Sequence, residues 1–381
     1  MKRRTVLLGG TSALLTTAVG TACNRAARSS LEVQFLEHSL PLRVIKAFRS
    51  AQQNGARLSF EGESQLPALF RTLQSWQAEQ LPQPPLWRRW LPAQPQPQPP
   101  DLLTLGDSWL QAAITQELIQ PLPLADLTDW DKLPPAWQQL VRRNANGTPD
   151  QSGKLWGAPY RVQPLVIAYS PRAVQALGSP PVGWNDLLDP ALQGRVALPA
   201  QPHLIASIVL KSLGQPLKDL STLTAEPGAR QLTAFLSQAR GFDSSTSLKA
   251  LINEDVWAVV GWSGDVLATL QRYRQLKGSF PQEGTLWSTD LWVRPASAQA
   301  AVSLATDWMT FCWQPSTALQ ISLSSNGIAP RYLQNDRPDE LANQTLLLPE
   351  ADEIDRSELM PPLSAADEAN LSGAFAAARK G

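Results

Sequence analysis

The sequence predicts a mixed α/β protein built from two blocks of mainly parallel sheet covered by helices. The chain has 381 residues, enough for two lobes, and 43% of them are hydrophobic against 17% charged, as in ordinary globular proteins. Short apolar runs of strand-like composition alternate with longer segments of helical spacing. Such alternation is typical of parallel sheets whose strands are connected by helices.

The first block alternates regularly along the chain. Strands are predicted at 31–36, 57–60 and 101–105, and helices at 42–54, at 66–81 and from Trp109 onward. The first helix illustrates the reasoning, because Val44, Ile45 and Phe48 recur on one helical face. Ligands bind at the carboxyl ends of the strands in such sheets, so the loops at 37–39, 62–64 and 106–109 are predicted to face a ligand.

Between the second helix and the third strand lies a proline-rich segment, residues 82–100, which holds eight prolines. Proline lacks a backbone N–H, so this segment is predicted to be extended polyproline rather than helix or central strand. A surface insertion is the favoured interpretation, because surface loops tolerate added residues at little cost. A recognition arm for a partner, centred on Trp87 and Trp90, remains the alternative.

The second block repeats the pattern. Strands are predicted at 165–169, 195–198, 256–262 and 291–294, and helices at 184–188, 203–213, 229–239, 263–273, 298–313 and 316–323. The run from Val256 to Trp262 is apolar throughout, as expected of a strand buried on both faces.

Residues 1–23 resemble a bacterial export signal and are set apart from the fold. A basic head at 2–4 precedes an apolar stretch that is too short to cross a bilayer, and small residues then lead to Cys23. Twin-arginine and general secretion both fit the head, and Cys23 is a candidate for lipid attachment. Cleavage would remove three of the 33 basic side chains and leave a net charge of −3.

Several functional classes are disfavoured by composition and motifs. A formal charge of zero argues against nucleic-acid binding through bulk positive potential. Two cysteines and two histidines exclude a disulfide scaffold and a zinc site of four Cys or His ligands. No glycine-rich nucleotide loop is present, and Gly261–Gly264 departs by one residue from the G-x-S-x-G nucleophile elbow. We expect no enzyme activity, no metal and no cofactor.

Five segments resemble the substrate-binding proteins of ABC importers, closest to the spermidine/putrescine type. They are Leu155–Arg161 followed by Val166–Tyr169, then Phe242–Thr246, Val256–Asp265, Gly284–Pro295 and Ser325–Pro330, in the family order. The resemblance implies a two-lobed periplasmic-binding-protein fold of type II with a hinge of crossing segments. Lobe one is predicted at 31–160 plus 290–328 and lobe two at 161–287 plus 329–381. The resemblance to this family further implies an exported, periplasmic monomer that closes on a polyamine-like cation and delivers it to a membrane permease.

The residues themselves point to the same chemistry. A polyamine needs carboxylates for its ammonium groups and aromatic faces for its methylenes. An aromatic residue and an aspartate are paired at each of three strand-end loops, and Tyr160 and Asn326 lie at two of the crossing segments. Together they form the candidate solute site: Asp107, Trp109, Tyr160, Trp262, Asp265, Trp287, Asp290 and Asn326. The alternative is structural, since tryptophans often anchor cores and an aspartate before a helix often caps it.

Some positions depart from the polyamine pattern. The loop at 36–39 has no aromatic residue, and the loop at 199–203 has no acidic one. A different small solute, or a binding-protein fold used as an interaction or sensory module with a diverged pocket, therefore remains open.

Overall fold

The computed structural model describes residues 30–52, 55–78, 99–243, 246–298, 302–334 and 337–378. The predicted export signal at 1–23, with Cys23, lies outside the described residues, as do residues 82–98 of the proline-rich segment. In the part of the chain that is described, no helix combines the length and the hydropathy needed to cross a membrane.

The seven predicted strands are all present, and two of them begin several residues earlier than expected. The strands are β1 (Ser30–Leu36), β2 (Arg57–Glu63), β3 (Leu102–Gly106), β4 (Ile119–Gln120), β5 (Arg142–Arg143), β6 (Lys154–Leu155), β7 (Ala158–Tyr169), β8 (Val196–Leu198), β9 (Ala239–Phe242), β10 (Ala258–Trp262), β11 (Lys277–Ser279), β12 (Leu286–Pro295) and β13 (Glu358–Leu359). The predicted strands at 165–169 and 291–294 are the second halves of β7 and β12, which begin several residues earlier.

The longer predicted helices are confirmed as α1, α2, α3, α6, α7, α9, α10 and α11. The helices are α1 (Leu42–Ala51), α2 (Leu66–Ala78), α3 (Leu110–Thr115), α4 (Pro135–Val141), α5 (Pro171–Leu177), α6 (Pro202–Ser212), α7 (Gly228–Gln238), α8 (Ser247–Ile252), α9 (Ser263–Arg272), α10 (Val302–Trp313), α11 (Pro315–Ser324), α12 (Ala351–Asp355) and α13 (Ala365–Ala378). The short helix predicted at 184–188 is a 3-10 turn at Asn185–Leu188, and Asp107–Trp109 forms another before α3.

One sheet runs through the molecule in the order β2-β1-β3-β12-β7-β10-β8-β9. The strands of each outer part are parallel, with β1 between β2 and β3, and β8 between β9 and β10. At the centre β12 and β7 run antiparallel to their neighbours. This confirms the α/β class with mainly parallel outer sheets and identifies β7 and β12 as the strands that join the two parts.

The strand β7 belongs to both parts of the sheet. Its first half, up to Pro164, pairs with β12, and from Leu165 onward it pairs with β10. A third segment meets it in the middle, because Val162 and Ile328 exchange both backbone hydrogen bonds at 2.7 and 2.8 Å. Three separate stretches of chain thus come together around Val162, and side chains on all three can contact one another there.

Two hydrophobic cores lie on the two parts of the sheet. In the first, the ring of Trp308 packs edge-on against Phe48 and Phe60, with centroids 4.9 and 4.8 Å apart. The second includes Trp184 and Phe235 and is completed by α13 near the end of the described chain. The bounds predicted for the two lobes remain a prediction.

Candidate functional site

The sheet register brings the predicted site residues of β3 and β12 to the central crossing. Asp290 on β12 lies opposite Gly106 at the end of β3 and opposite Arg161 on β7. Asp107 follows Gly106 directly, so its carboxyl group enters the same region. The sequence placed these two aspartates at strand ends, but only the pairing of β12 between β3 and β7 makes them neighbours.

A buried ion pair occupies the crossing. Nη1 of Arg161 donates to Oδ2 of Asp290 at 2.6 Å, and the two side chains are only 5% and 1% exposed. Arg161 also donates from Nε to the Ser325 hydroxyl at 3.2 Å and from Nη2 to the Ser325 carbonyl at 2.8 Å. The guanidinium therefore links β7, β12 and the third crossing segment.

Two glycines leave the room that this guanidinium needs. A Cβ on Gly327 would lie 2.6 Å from Nε of Arg161, and one on Gly264 would lie 2.2 Å from Oε1 of Gln163 and 2.9 Å from Nη2 of Arg161. A residue larger than glycine would therefore push against Arg161 at position 327, and against Gln163 first and then Arg161 at position 264. The two glycines belong to the third crossing segment and to the start of α9, which both pack against Arg161.

Asp107 has an unusual environment for a carboxyl group. Loss of hydration in the protein raises its pKa from 3.8 to about 7, and the negative charge of Asp290 adds to the rise. Backbone N–H groups of Thr289 and Ser108 and the positive charge of Arg143 act in the opposite direction. At neutral pH this group is divided between its protonated and ionised forms.

A cavity of about 410 Å³ lies beside Asp107. One side is formed by Asp107, Gln111 and Arg143, and the other by His203 at the start of α6 and by residues 360–363, which precede α13. Residues far apart in the chain thus enclose a space with charged groups of both signs. Its volume suits a small organic molecule.

The two basic residues of the cavity differ in their bonding. Arg143 is buried, and its guanidinium donates to the carbonyl oxygens of Leu140 and Gly147 at 2.6 and 3.0 Å. Burial lowers its pKa to about 10, while Asp107 acts to raise it. His203 also has a lowered pKa because of burial, and its Nε2 is buried without a hydrogen-bond partner among the described residues.

The residues predicted around β10 and α9 do not line this cavity. Trp262 ends β10 and is half-buried, and Asp265 is exposed in the first turn of α9. Reduced hydration raises the pKa of Asp265, and the positive charge of Arg161 lowers it. Asn326 joins this region to the third crossing, because its side-chain oxygen accepts from Gln271 at 3.1 Å.

Three predicted aromatic residues pack against other aromatic rings in this conformation. Tyr160 is fully buried, stacks on Trp292 at 4.3 Å, and shares its hydroxyl with Ser39 and Thr104. Trp287 is 2% exposed and contacts Trp137 and Phe280. Trp109 is half-buried and stacks on Phe70 at 5.7 Å.

The pairing of Trp287 with Asp290 illustrates why the aromatic–acid reasoning does not translate directly into contacts. These residues were expected in a loop, but both lie in β12, where residues three apart point to opposite faces. The proposal that these side chains hold a solute is therefore better supported for Asp107, which lines the cavity, than for Trp287.

The sequence analysis did not select the two arginines. Arg161 precedes the predicted strand at 165–169 and became part of a buried strand only because β7 begins at Ala158. The segment at 360–363 carried no signal for its place in the site. Within the described ranges no group of three or more His, Cys, Asp or Glu side chains is arranged to hold a metal.

Comparison with known proteins gives a family. Residues 97–357 match the family described as bacterial extracellular solute-binding protein. The putrescine-binding periplasmic protein PotF of Escherichia coli (strain K12) is 26% identical over 240 residues, which cover 58% of this chain and 62% of PotF. The putrescine/cadaverine-binding protein of Pseudomonas aeruginosa is 25% identical over 118 residues, or 30% of this chain and 33% of that protein. The alignments thus span less than two thirds of either relative.

Solved structures extend the likeness in fold to the described chain as a whole. The spermidine/putrescine substrate-binding protein PotD of Streptococcus pneumoniae superposes with a TM-score of 0.74, covering 92% of this chain and 99% of that one at 15% identity. The predicted two-lobed binding-protein fold and the predicted resemblance are confirmed. The expectation of a binding protein rather than an enzyme is confirmed as well, because the chain belongs to the bacterial extracellular solute-binding protein family.

Proposed function

We propose that this chain is the extracytoplasmic receptor of an ABC importer and that it binds a small organic amine. The observation that carries the proposal is the cavity beside Asp107, which combines a carboxyl group at a strand end with a volume of about 410 Å³. An ammonium group can form a charge-assisted hydrogen bond with a partly buried carboxylate of this kind. The names of the polyamine-binding relatives support the same class of solute.

Binding by closure of two lobes is consistent with this geometry. The cavity is lined by residues of the turn after β3, of α3 and of β5 on one side and by residues of α6 and near α13 on the other. These elements are connected through the crossing strands β7 and β12 and the segment at 325–328. Small rotations in these three crossings would change the width of the cavity, as in other hinge-closing binding proteins. The predicted lobes, 31–160 plus 290–328 and 161–287 plus 329–381, are the bodies that we propose to move.

The remaining parts of the proposal concern the site and the setting. Trp262 and Asp265 on the loop after β10, together with Trp109, supply further aromatic and acidic groups near the cleft after closure. We propose export to the periplasm as a monomer, with Cys23 as the point of lipid attachment, and delivery of the solute to a membrane permease.

Isothermal titration calorimetry on the chain without its leader tests the proposal. The panel contains putrescine, cadaverine, spermidine, lysine, 4-amino-1-butanol and glucose. At least one amine is expected to bind, glucose is not, and Asp107→Asn is expected to weaken the amine at least tenfold.

Asp101→Asn is the matched control, because Asp101 is a buried aspartate at the opposite end of β3, where it accepts the N–H of Glu32 at 2.8 Å. Its replacement is expected to leave amine affinity unchanged. Absence of binding by every amine, or equal losses in the two variants, would contradict the proposed function.

A further inference from the structure

We infer that the cavity beside Asp107 takes an amine that also carries a carboxylate, and that Arg143 binds this carboxylate opposite the start of α6. This class of solute rests on the proposed function and narrows it from any small amine to an aliphatic amino carboxylate. The groups that support it line the cavity itself, and an amine bound at Asp107 would leave them unused.

The first observation is a buried guanidinium with no anion in contact. Arg143 lines the cavity, is only 3% exposed, and forms no ion pair with a carboxylate of the described residues. Its Nε and Nη1 donate to the carbonyl oxygens of Leu140 and Gly147, whereas Nη2 makes no hydrogen bond within the described part of the chain. A guanidinium keeps its charge, and its paired N–H groups match the geometry of a carboxylate. Because a buried charge is costly without a partner, a solute carboxylate at Arg143 would be stabilising.

The opposite wall of the cavity also favours an anion. His203 lies in the first turn of α6, a helix of 11 residues with no acidic residue in that turn. The backbone N–H groups at the start of a helix carry partial positive charge, and that of His203 has no hydrogen-bond partner among the described residues. Its ring Nε2 is buried and also lacks a partner there. The pKa of His203 is lowered by burial, so the ring is neutral at neutral pH and Nε2 can donate its proton to a carboxylate oxygen.

The acidic and basic groups of the cavity are not paired with each other. The charges of Asp107 and Arg143 shift each other's pKa, but the two side chains form no ion pair. The segment at 360–363, Met-Pro-Pro-Leu, adds an apolar surface to the same cavity. An aliphatic amino carboxylate satisfies all three features, because its ammonium group binds Asp107, its carboxylate binds Arg143 and its methylenes contact the apolar segment.

A diamine satisfies the cavity less completely. Its second ammonium group could bind Glu368, which also lines the cavity but is exposed, so that water competes for this carboxylate. That arrangement leaves Arg143 without an anion and adds a like charge to a cavity of about 410 Å³.

The proposed carboxylate would also favour closure. Arg143 belongs to the predicted lobe one and His203 to the predicted lobe two, and they line opposite sides of the cavity. An anion that contacts both residues stabilises the closed arrangement over an open one, since it makes both contacts only when the two sides are close.

The experiment is a calorimetric comparison of matched probes on the protein without its leader. 4-Aminobutyrate replaces one ammonium group of putrescine by a carboxylate, and lysine adds a carboxylate to cadaverine. In at least one pair we expect the compound with the carboxylate to bind about tenfold or more tightly than the diamine. 4-Aminobutanamide and lysinamide keep the shape but lack the negative charge, and each is expected to bind about tenfold or more weakly than the corresponding carboxylate.

Substitution of Arg143 provides the second arm. Arg143→Gln is expected to weaken the preferred amino carboxylate about tenfold or more, and to leave the affinity for the diamine unchanged or higher. Arg143→Lys keeps the charge and is expected to retain part of the preference. His203→Phe keeps a planar ring without the buried nitrogen and is expected to reduce the preference about threefold.

Arg142→Gln is the matched control. Arg142 is the neighbouring residue in β5, its guanidinium lies 5.8 Å from the centre of the Trp130 ring, and it does not line this cavity. Its replacement is expected to leave the preference unchanged.

The outcomes separate this solute class from the proposed function. If no amine binds to any form of the protein, both fail. If amines bind but no carboxylate-bearing probe is preferred over its diamine and its amide, the carboxylate site alone is refuted, and this result needs no variant to fold. An equal loss of affinity for all probes in Arg143→Gln would also refute it, because that is the result expected of a purely structural arginine.

Discussion

The ionisation of Asp107 should cost folding stability at neutral and alkaline pH. We expect Asp107→Asn to be more stable than the unaltered protein at pH 8, measured without solute. Asparagine has nearly the same shape and can still accept the backbone N–H groups of Thr289 and Ser108 that face this carboxyl group. It lacks only the charge that the surroundings disfavour.

The magnitude follows from the pKa of the folded protein. A rise from 3.8 to about 7 corresponds to about 4 kcal/mol at 1.36 kcal/mol per pH unit. Because the Asp107 side chain is partly exposed, solvent reduces this figure, and we expect a gain of about 1–2 kcal/mol.

The sign of the pH dependence is fixed by the raised pKa. Below pH 4 the carboxyl group is protonated in both the folded and the unfolded chain, so the substitution changes nothing through ionisation. Between about pH 4 and pH 7 the unfolded chain loses its proton first, and the stability of the unaltered protein falls relative to that of the variant. Above pH 7 the difference is complete.

The assay is urea unfolding at pH 5 and pH 8. Asp131→Asn is the control, since that side chain is 75% exposed and its ion pair with Lys132 lies on the surface. It should change the free energy of unfolding by less than about 0.5 kcal/mol at either pH. A gain for Asp107→Asn that is the same at pH 5 and pH 8, or a loss at pH 8, would refute the reasoning.

Three further predictions concern the same region. If the ionised form of Asp107 binds the amine, the affinity for the amine rises about tenfold from pH 6 to pH 8, and binding near pH 6 releases a proton from this carboxyl group. Calorimetry in buffers of different ionisation enthalpy measures the proton release, and an affinity that does not change with pH would exclude this role. Gly327→Ala should lose about 1–3 kcal/mol because its Cβ meets Arg161, whereas Gly373→Ala, with no atom within 4 Å on a helix, should be neutral or stabilising in the same urea assay. Arg161→Met and Asp290→Leu should each lose about 3–5 kcal/mol, and the double variant distinctly less than their sum; additive losses would show that the pair is not coupled.

Local patterns predicted the elements well where periodicity was strong. The apolar run ending at Trp262 is a buried strand, and the spacing of Val44, Ile45 and Phe48 marks the buried face of α1. Prediction was weaker at β12, because a strand that starts at Leu286 was divided between a loop and a shorter strand. The mixture of tryptophan, serine, threonine and aspartate there has no clear alternation, since nearly every residue of β12 is buried, on both faces of the sheet.

The candidate site shows the same limit at the level of side chains. Sequence reasoning found Asp107 and Asp290 because carboxylates at strand ends are where parallel sheets bind ligands. It could not pair Asp290 with Arg161, since that contact depends on the register of two strands separated by more than 100 residues in the chain. Nor could it predict that residues 360–363 lie close to Asp107, because no local sequence pattern specifies where this segment near the end of the chain packs.

The sequence by itself determined the α/β class, the order of the main strands and helices, and the kind of residue available at the strand ends. These follow from hydrophobic periodicity and residue chemistry, which act over a few residues. The tertiary structure alone decided which charges meet: it neutralised Asp290 with Arg161 and placed Asp107 beside a cavity with Arg143. Pair contacts depend on register and packing over the whole sheet, and for that reason these contacts between charged groups emerge only from the folded chain.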